Sequence, residues 1–219
     1  MKILCISDTH GLHRNIVIPT DIDIAIFAGD AGTTRNPYMN ERGIIDFIDW
    51  YGSLKHIKHK IWIAGNHCTS IEAGLVNAKL RSQDNGLIYL EHDSCEVEGF
   101  KIFGSPYTPS FGSGWAYNVP RGGLHSYWDE IPLDTEILIT HGPPYGIGDF
   151  VPYNGGEFVG CHELLDVVST KLPNLKLNVF GHIHYSHGTV HKNNITFVNA
   201  SVVNEGYELV NEPIIIDLD

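Results

Sequence analysis

Basic residues are scarce in this chain: 14 Lys and Arg stand against 26 Asp and Glu, a formal net charge of -12 over 219 residues. Such a surface repels a polyphosphate backbone, and no basic run supplies the counterion-release footprint of a nucleic-acid binder, so no nucleic acid polymer is expected as a partner. Cysteine is sparse too. Cys5, Cys68, Cys95 and Cys161 lie far apart with no CxxC pair, which argues against a thiolate zinc site or a disulfide framework and fits the reducing cytoplasm. No apolar run reaches membrane-spanning length, and Met1 opens directly onto a strand-like stretch, so neither a membrane anchor nor secretion is expected. Long linkers rich in Pro, Gly or Ser are missing, and the length suits one well-cored domain over residues 1–219.

What the chain does have is an alternation of short apolar runs with helical patterns. "MKILCISDTH" reads as a buried strand over 2–7 that stops at a polar cluster, and "DIDIAIFAGDAG" repeats the device. A helix is expected over 40–54, where Ile44, Ile45, Phe47, Ile48 and Tyr51 fall near three-to-four spacing, followed by a third strand in "HKIWIAGNH". Short strands with a turn at Glu98-Gly99 come next. Residues 105–123, rich in proline, glycine and aromatics, read as an ordered loop over a pocket, with Phe111, Trp115 and Tyr117 as candidates to stack on a ligand ring. A short helix over 124–128, a strand in "TEILITHGPP", a helix in "CHELLDVVSTKL" and a strand in "KLNVFGHIH" follow. The remainder reads as strands, two of them joined by a turn at Asn193-Asn194.

Five of the apolar runs end in "DTH", "GD", "GNH", "HGP" and "GHIH". Taken singly, each is a turn former or a surface histidine. Taken together, Asp8, His10, Asp30, Asn66, His67, His141, His182 and His184 after successive strands predict a site at one edge of a sheet, because independent turns have no reason to repeat this chemistry. Carboxylate and amide oxygens mixed with imidazoles, without thiolates, suit Mn²⁺, Fe²⁺ or Zn²⁺ better than Ca²⁺. If the chain stays extended, Asp8 and His10 project to the same side and bind one ion. His182 and His184 do the same, or diverge across a turn to serve two.

The ordered set Asp8-Thr9-His10, Gly29-Asp30, Gly65-Asn66-His67, His141 and Gly181-His182-Ile183-His184 resembles the calcineurin-like metallophosphoesterase superfamily. The text between, notably "GSPYTPSFGSGWAYNVPRG", "ITHGPPYGIGD", "VGCHELL" and "FVNAS", is similar to its small metallophosphoesterase-domain members, a group like the class III cyclic nucleotide phosphodiesterases. The resemblance implies an α/β fold, a four-layer α/β/β/α sandwich, holding two divalent ions, with Mn expected first and Fe, Ni or Zn as alternatives. It implies that Asp30 bridges the ions, that Asp8, His10 and His184 complete one site, and that Asn66, His141 and His182 complete the other. His67 is then left beside the phosphate as proton donor, and Asn66 polarises the phosphate through its metal.

The expected reaction is hydrolysis of a small phosphodiester, a cyclic nucleotide being the favoured example, by a hydroxide bridging the two ions. The alternatives are a phosphomonoesterase, a nuclease, or a non-catalytic scaffold for protein partners. A monoester needs further cations, and Arg14 and Arg121 are the ones near candidate loops. Assembly as a homodimer is left open. His187 is a weaker substrate candidate and His191 a surface residue. The family usually has an acidic residue where Cys68 stands, so an outer carboxylate is missing or comes from elsewhere.

Overall fold

Nearly every position of the main strands is buried on both faces, as a strand between two layers requires. The computed structural model describes residues 1–218, so the last residue of the expected 1–219 span lies outside them. In chain order the strands are β1 (Lys2–Ile6), β2 (Ile24–Phe27), β3 (His59–Trp62), β4 (Ile88–Tyr89), β5 (Asp93–Val97), β6 (Phe100–Ser105), β7 (Thr108–Pro109) and β8 (Asn118–Val119). They continue with β9 (Ile137–Thr140), β10 (Phe150–Val151), β11 (Glu157–Phe158), β12 (Leu177–Phe180), β13 (Gly188–Lys192), β14 (Ile195–Asn199) and β15 (Ile214–Asp217). The helices are α1 (Pro37–Ser53), α2 (Thr69–Glu72), α3 (Ala78–Asp84), α4 (His125–Trp128) and α5 (His162–Thr170).

Two large sheets result, one in the order β15-β1-β2-β3-β4 and one in the order β13-β14-β12-β9-β6-β5, beside the two-stranded pairs β7-β8 and β10-β11. Within them β1 to β4 run parallel, as do β6, β9, β12 and β14, while β15, β5 and β13 are antiparallel to their neighbours. Alternation along each strand assigns the layers. Leu4, Ile6, Ala25 and Phe27 face α1, whereas Ile3, Cys5, Ile24 and Ile26 face Ile137, Ile139, Leu177 and Val179 of the other sheet. On that sheet's outer side, Leu138 and Phe180 pack against Trp128, Leu164 and Val168 of α4 and α5. The architecture is therefore the four-layer α/β/β/α sandwich.

Helix α1 begins at Pro37, earlier than the apolar periodicity indicates. The cause is local: the Asn36 side chain accepts hydrogen bonds from the amides of Tyr38 and Met39, and Pro37 occupies the first helical position. The hairpin turn at Glu98-Gly99 is as expected, with φ of 51° and 82°, both in the left-handed region that a tight two-residue loop requires. Residues 105–123 hold a short parallel pair, β7 with β8, which a reading of composition misses. At the end of β1 the sheets are tied together, since the Ser7 amide donates to Ala200 O (2.9 Å) and the Val202 amide donates to Ser7 O (3.1 Å). Among the described residues no helix is long and apolar enough to cross a membrane.

Phe47 on α1 sits with its ring 4.3 Å from that of Phe27 and 5.3 Å from that of Trp62, fully buried. Phe47→Ala is expected to lower stability by about 3–5 kcal/mol in urea unfolding, because a core this closed cannot collapse into the void.

Candidate metal centre

The polar strand ends converge. Asp8 and His10 follow β1, Asp30 follows β2, Asn66 and His67 follow β3, His141 follows β9, and His182 and His184 follow β12. All but the half-buried His182 are at least nine-tenths removed from solvent. The extended geometry expected for Asp8-Thr9-His10 is not what brings them together: φ is 55° at Asp8, 41° at His10, 61° at Asp30 and 68° at His182. Such left-handed turns cost L-residues of order 1–3 kcal/mol each. They persist because backbone bonds continue past the strands, from the Asp8 amide to Gly29 O (2.9 Å) and from the His10 amide to Asp30 O (3.1 Å). A β-carbon at Gly181 would overlap Asp8 Oδ2 and Ser7 Oγ, and one at Gly65 would overlap Asp30 Oδ1, so both glycines let the backbone approach the carboxylates.

Asp30 Oδ1 accepts from the His67 amide at 2.7 Å, which leaves Oδ2 facing three imidazoles: His141 Nε2 at 3.3 Å, His10 Nε2 at 3.9 Å and His67 Nε2 at 4.0 Å. Asp8 is held by the His182 amide and turns Oδ1 toward His184 Nε2 (3.5 Å) and His10 Nε2 (4.0 Å). The outer nitrogens of three rings meet backbone carbonyls: His10 Nδ1 donates to Gly32 O (2.9 Å), His141 Nδ1 to Ala28 O (2.9 Å) and His184 Nδ1 to Asn204 O (3.1 Å). A carbonyl only accepts, so the proton of each ring, when neutral, is on Nδ1, and Nε2 is the atom left to bind a metal or a second proton.

The Nε2 atoms are therefore aimed at other acceptors. His10 Nε2 and His184 Nε2 stand 3.4 Å apart, and His141 Nε2 stands 2.9 Å from Asn66 Oδ1. Such pairs are satisfied by a proton on one ring or by a cation between them, and the mixture of oxygen and nitrogen donors suits a first-row divalent metal. Ligand atoms of Asp8, His10 and His184 lie within 4.8 Å of one another, as do those of Asp8, Asp30 and His141 and those of His10, Asp30 and His67. His182 joins through its ring, 5.1 Å from that of His141.

Burial alone would raise the pKa of the carboxylates and lower that of every imidazole. For Asp8 burial is outweighed by the hydrogen bond and charge of His184 and the charge of His141, which bring the carboxyl down to about 2. Asp30, equally buried, is held well below the usual carboxylate range by His141, His67 and His10. His141 resists burial through the charge and hydrogen bond of Asp30 and the charge of Asp8, and is raised to about 9. In His10, by contrast, burial wins and lowers the ring to about 4, and it also lowers His67 and His182.

The rim divides the remaining candidates. Phe111 stands 4.9 Å from His182, and Trp115 stands 4.5 Å from His67, ring to ring, so both border the centre. Tyr117 does not belong in a ligand wall: it is 4% exposed, its hydroxyl donates to Glu91 and its amide donates to Glu72, which makes it the anchor of its loop. His187 lies beside Ser201 and is not in any of the ligand groups, and His191 is exposed with Nδ1 against Thr196. Arg14 pairs with Asp46 on the surface. The cation at the rim is instead Arg35, 4.2 Å over the Trp115 ring. Tyr207 also escapes sequence reasoning, yet its ring lies 4.7 Å from His10 and 5.7 Å from His184. Cys68 is fully buried, accepts from the Gly65 amide and has its thiol pushed up to about 12, so it supports the turn rather than a ligand.

The family model for calcineurin-like phosphoesterases matches residues 1–186. Among curated sequences, the human metallophosphoesterase domain-containing protein 1 is 38% identical over 99% of this chain and 71% of its own length. The Caenorhabditis elegans UPF0046 protein K07C11.7 is 33% identical over 98% of this chain and 74% of its own. Among solved structures, TT1561 of Thermus thermophilus shares the fold with a TM-score of 0.61 at 16% identity, covering 90% of this chain and 88% of that one.

Two outcomes follow from the geometry. Gly181→Ala is expected to destabilise the protein by about 1–3 kcal/mol and to reduce bound metal, measured by elemental analysis, because the added methyl displaces Asp8. Gly43→Ala on α1, where a β-carbon meets nothing, is the control that keeps both. The second concerns pH. A raised His141 stabilises the metal-free protein fully below pH 6.5 and loses that contribution as pH rises through about 9. The metal needs the deprotonated ring, so its affinity is expected to climb across the same window, with proton release visible by calorimetry in buffers of different ionisation enthalpy.

Proposed function

Because the chain belongs to the calcineurin-like phosphoesterase family, whose members use divalent metal ions, we propose that this phosphoric ester hydrolase acts on a small phosphodiester with two such ions. A cyclic nucleotide is the favoured example. The observation that supports the reading is Asp30 Oδ2, 3.9 Å from His10 Nε2, which groups with Asp8 and His184, and 3.3 Å from His141 Nε2, which stands 2.9 Å from Asn66 Oδ1 with the His182 ring 5.1 Å from its own. Manganese suits this blend of hard oxygens and imidazoles, with Fe, Ni and Zn as alternatives. When bound, two adjacent divalent ions neutralise phosphoryl oxygens and acidify water.

The chain's own groups do the rest. His67 is fixed at the rim: its amide donates to Asp30, its carbonyl accepts from Asn40 Nδ2 at 2.8 Å, and its ring packs against Trp115 and His10 at 4.5 Å each. From there it donates a hydrogen bond to the phosphoryl group and a proton to the departing oxygen. A water molecule, giving up one proton to solvent, forms the new bond to phosphorus as the ester P–O bond breaks and the departing oxygen takes the proton of His67, which solvent then restores, giving an alcohol and a phosphomonoester. Asn66 positions its donor oxygen against His141.

A small substrate is favoured over a polymer by the net charge of -12 and by the cleft of about 320 Å³ beside His182, which carries Glu157 and Glu205. Its four free cysteines suit a reducing cytoplasm. A monoester is the second reading, favoured by Arg35, whose guanidinium at the Trp115 rim could meet an additional phosphate charge.

The test is hydrolysis of an aryl phosphodiester beside its monoester by metal-stripped protein, with Mn²⁺, Ni²⁺, Zn²⁺ or Mg²⁺ restored. Diester cleavage that requires added metal and disappears in Asp30→Ala is the expected result, and faster monoester cleavage would select the second reading. His67→Gln is expected to lower kcat by about 10²–10⁴-fold with bound metal unchanged.

A further inference from the structure

Next to the metal centre, on its His182 side, lies a cleft that the metal ligands do not use. Phe111 forms one wall, and the β10–β11 hairpin with its flanks contributes Val151, Tyr153 and Glu157. Tyr185 and Glu205 close the remaining side. The lining is preformed. Asp149 Oδ2 accepts from the amides of Gly146 (2.9 Å) and Gly160 (2.8 Å), which pins the base of the hairpin, and Arg121 donates to Val159 O (2.8 Å) and Gly160 O (3.2 Å), which ties the hairpin to the 105–123 loop. Ser186 Oγ donates to Phe150 O at 3.0 Å, and the hydroxyls of Tyr185 and Tyr153 are hydrogen-bonded. Both links start from residues directly after His184, so the wall is built on the segment that carries two of the ligands.

The order of rings along the rim gives the cleft a direction. From His182 to Phe111 the centroids are 4.9 Å apart, from Phe111 to Trp115 5.5 Å, and from Trp115 to His67 4.5 Å. On the reading that His67 protonates the departing oxygen, the expelled group leaves at the His67 end. The other ester substituent then points to the His182 end, into the cleft.

We propose that this cleft binds the ester substituent that is retained on phosphorus, and that it selects an uncharged planar ring carrying N–H donors. Aromatic faces at Phe111, Tyr153 and Tyr185 match a flat ring. At about 320 Å³ the space is at the small end of ligand pockets, with room for one ring and not for an oligomer. Glu157 and Glu205 repel a second phosphate and accept from an amino group, while two donors of Arg121 are already engaged with carbonyls. Binding energy from this remote group favours diesters over monoesters, which have no second substituent to place there.

The inference rests on the phosphodiesterase reading, and two probes separate them. Bis(p-nitrophenyl) phosphate and methyl p-nitrophenyl phosphate share a leaving group and a charge and differ only in the retained substituent. With the metal-loaded protein, kcat/KM is expected to favour the bis-aryl ester by about tenfold or more, and this ratio to fall toward one in Tyr153→Ala and Tyr185→Ala. Both tyrosines are exposed, so the variants should fold. Adenosine, which has no phosphate to hydrolyse, reads the cleft without turnover. Saturation-transfer NMR should show it bound, more tightly than purine riboside, which lacks the amino group, and weakened in Tyr185→Ala. If neither ester is cleaved but adenosine binds in this way, the phosphodiesterase reading falls and the cleft stands. Equal kcat/KM for the two esters, an unchanged ratio in both variants, or no adenosine binding overturns the cleft and leaves the reading intact.

Discussion

Two carboxylates, Asp8 and Asp30, are buried within reach of the same imidazole, and that crowding of negative charge governs the molecule. Charge so removed from water is tolerated only with compensating cations close by. In the metal-free protein protons on His141 and His184 supply part of it, and the same field that raises those rings draws a divalent ion. The left-handed turns at Asp8, His10, Asp30 and His182 and the bare glycines beside the carboxylates are consequences, since each lets a strand end come nearer than an ordinary backbone allows. Both sheets then have to meet at one edge, which the Ser7–Ala200 and Val202–Ser7 bonds accomplish.

Much of this could be read from the order of residues. Apolar runs ending in Asp, Asn or His mark strands whose ends carry chemistry, and the structure brings those ends together. The mechanism of convergence was not legible, because side-chain alternation along an extended segment is a local rule, whereas Asp8 and His10 take their conformation from pairing with the chain after β2. The division into two sheets follows from the family resemblance and not from the residue pattern, since a strand buried on both faces has the same pattern whichever sheet it joins. The acceptors that orient the histidines are backbone atoms and leave no trace in side-chain identity.

The rim was the least readable part. An aromatic in a proline-rich loop is equally suited to packing and to recognition, and Tyr117 turned inward because Glu72 and Glu91 offer partners for its amide and hydroxyl. Tyr207, Arg35 and Tyr153 come from segments with no motif around them, and Tyr185 follows the His182-Ile183-His184 motif without being part of it. Their importance arises from what the fold sets beside them: His10 and His184 for Tyr207, Trp115 for Arg35, and each other for the two tyrosines.

The carbonyl orientation of the histidines also bears on how the chain withstands mutation. Where a carboxylate side chain holds a metal-binding ring, one nucleotide change can remove it. Here the acceptors are the main-chain oxygens of Gly32, Ala28 and Asn204, which every substitution retains. Vulnerability moves from the identity of outer residues to the path of the backbone, so the centre tolerates drift in side chains around it and fails when a β-carbon or a shifted turn alters that path.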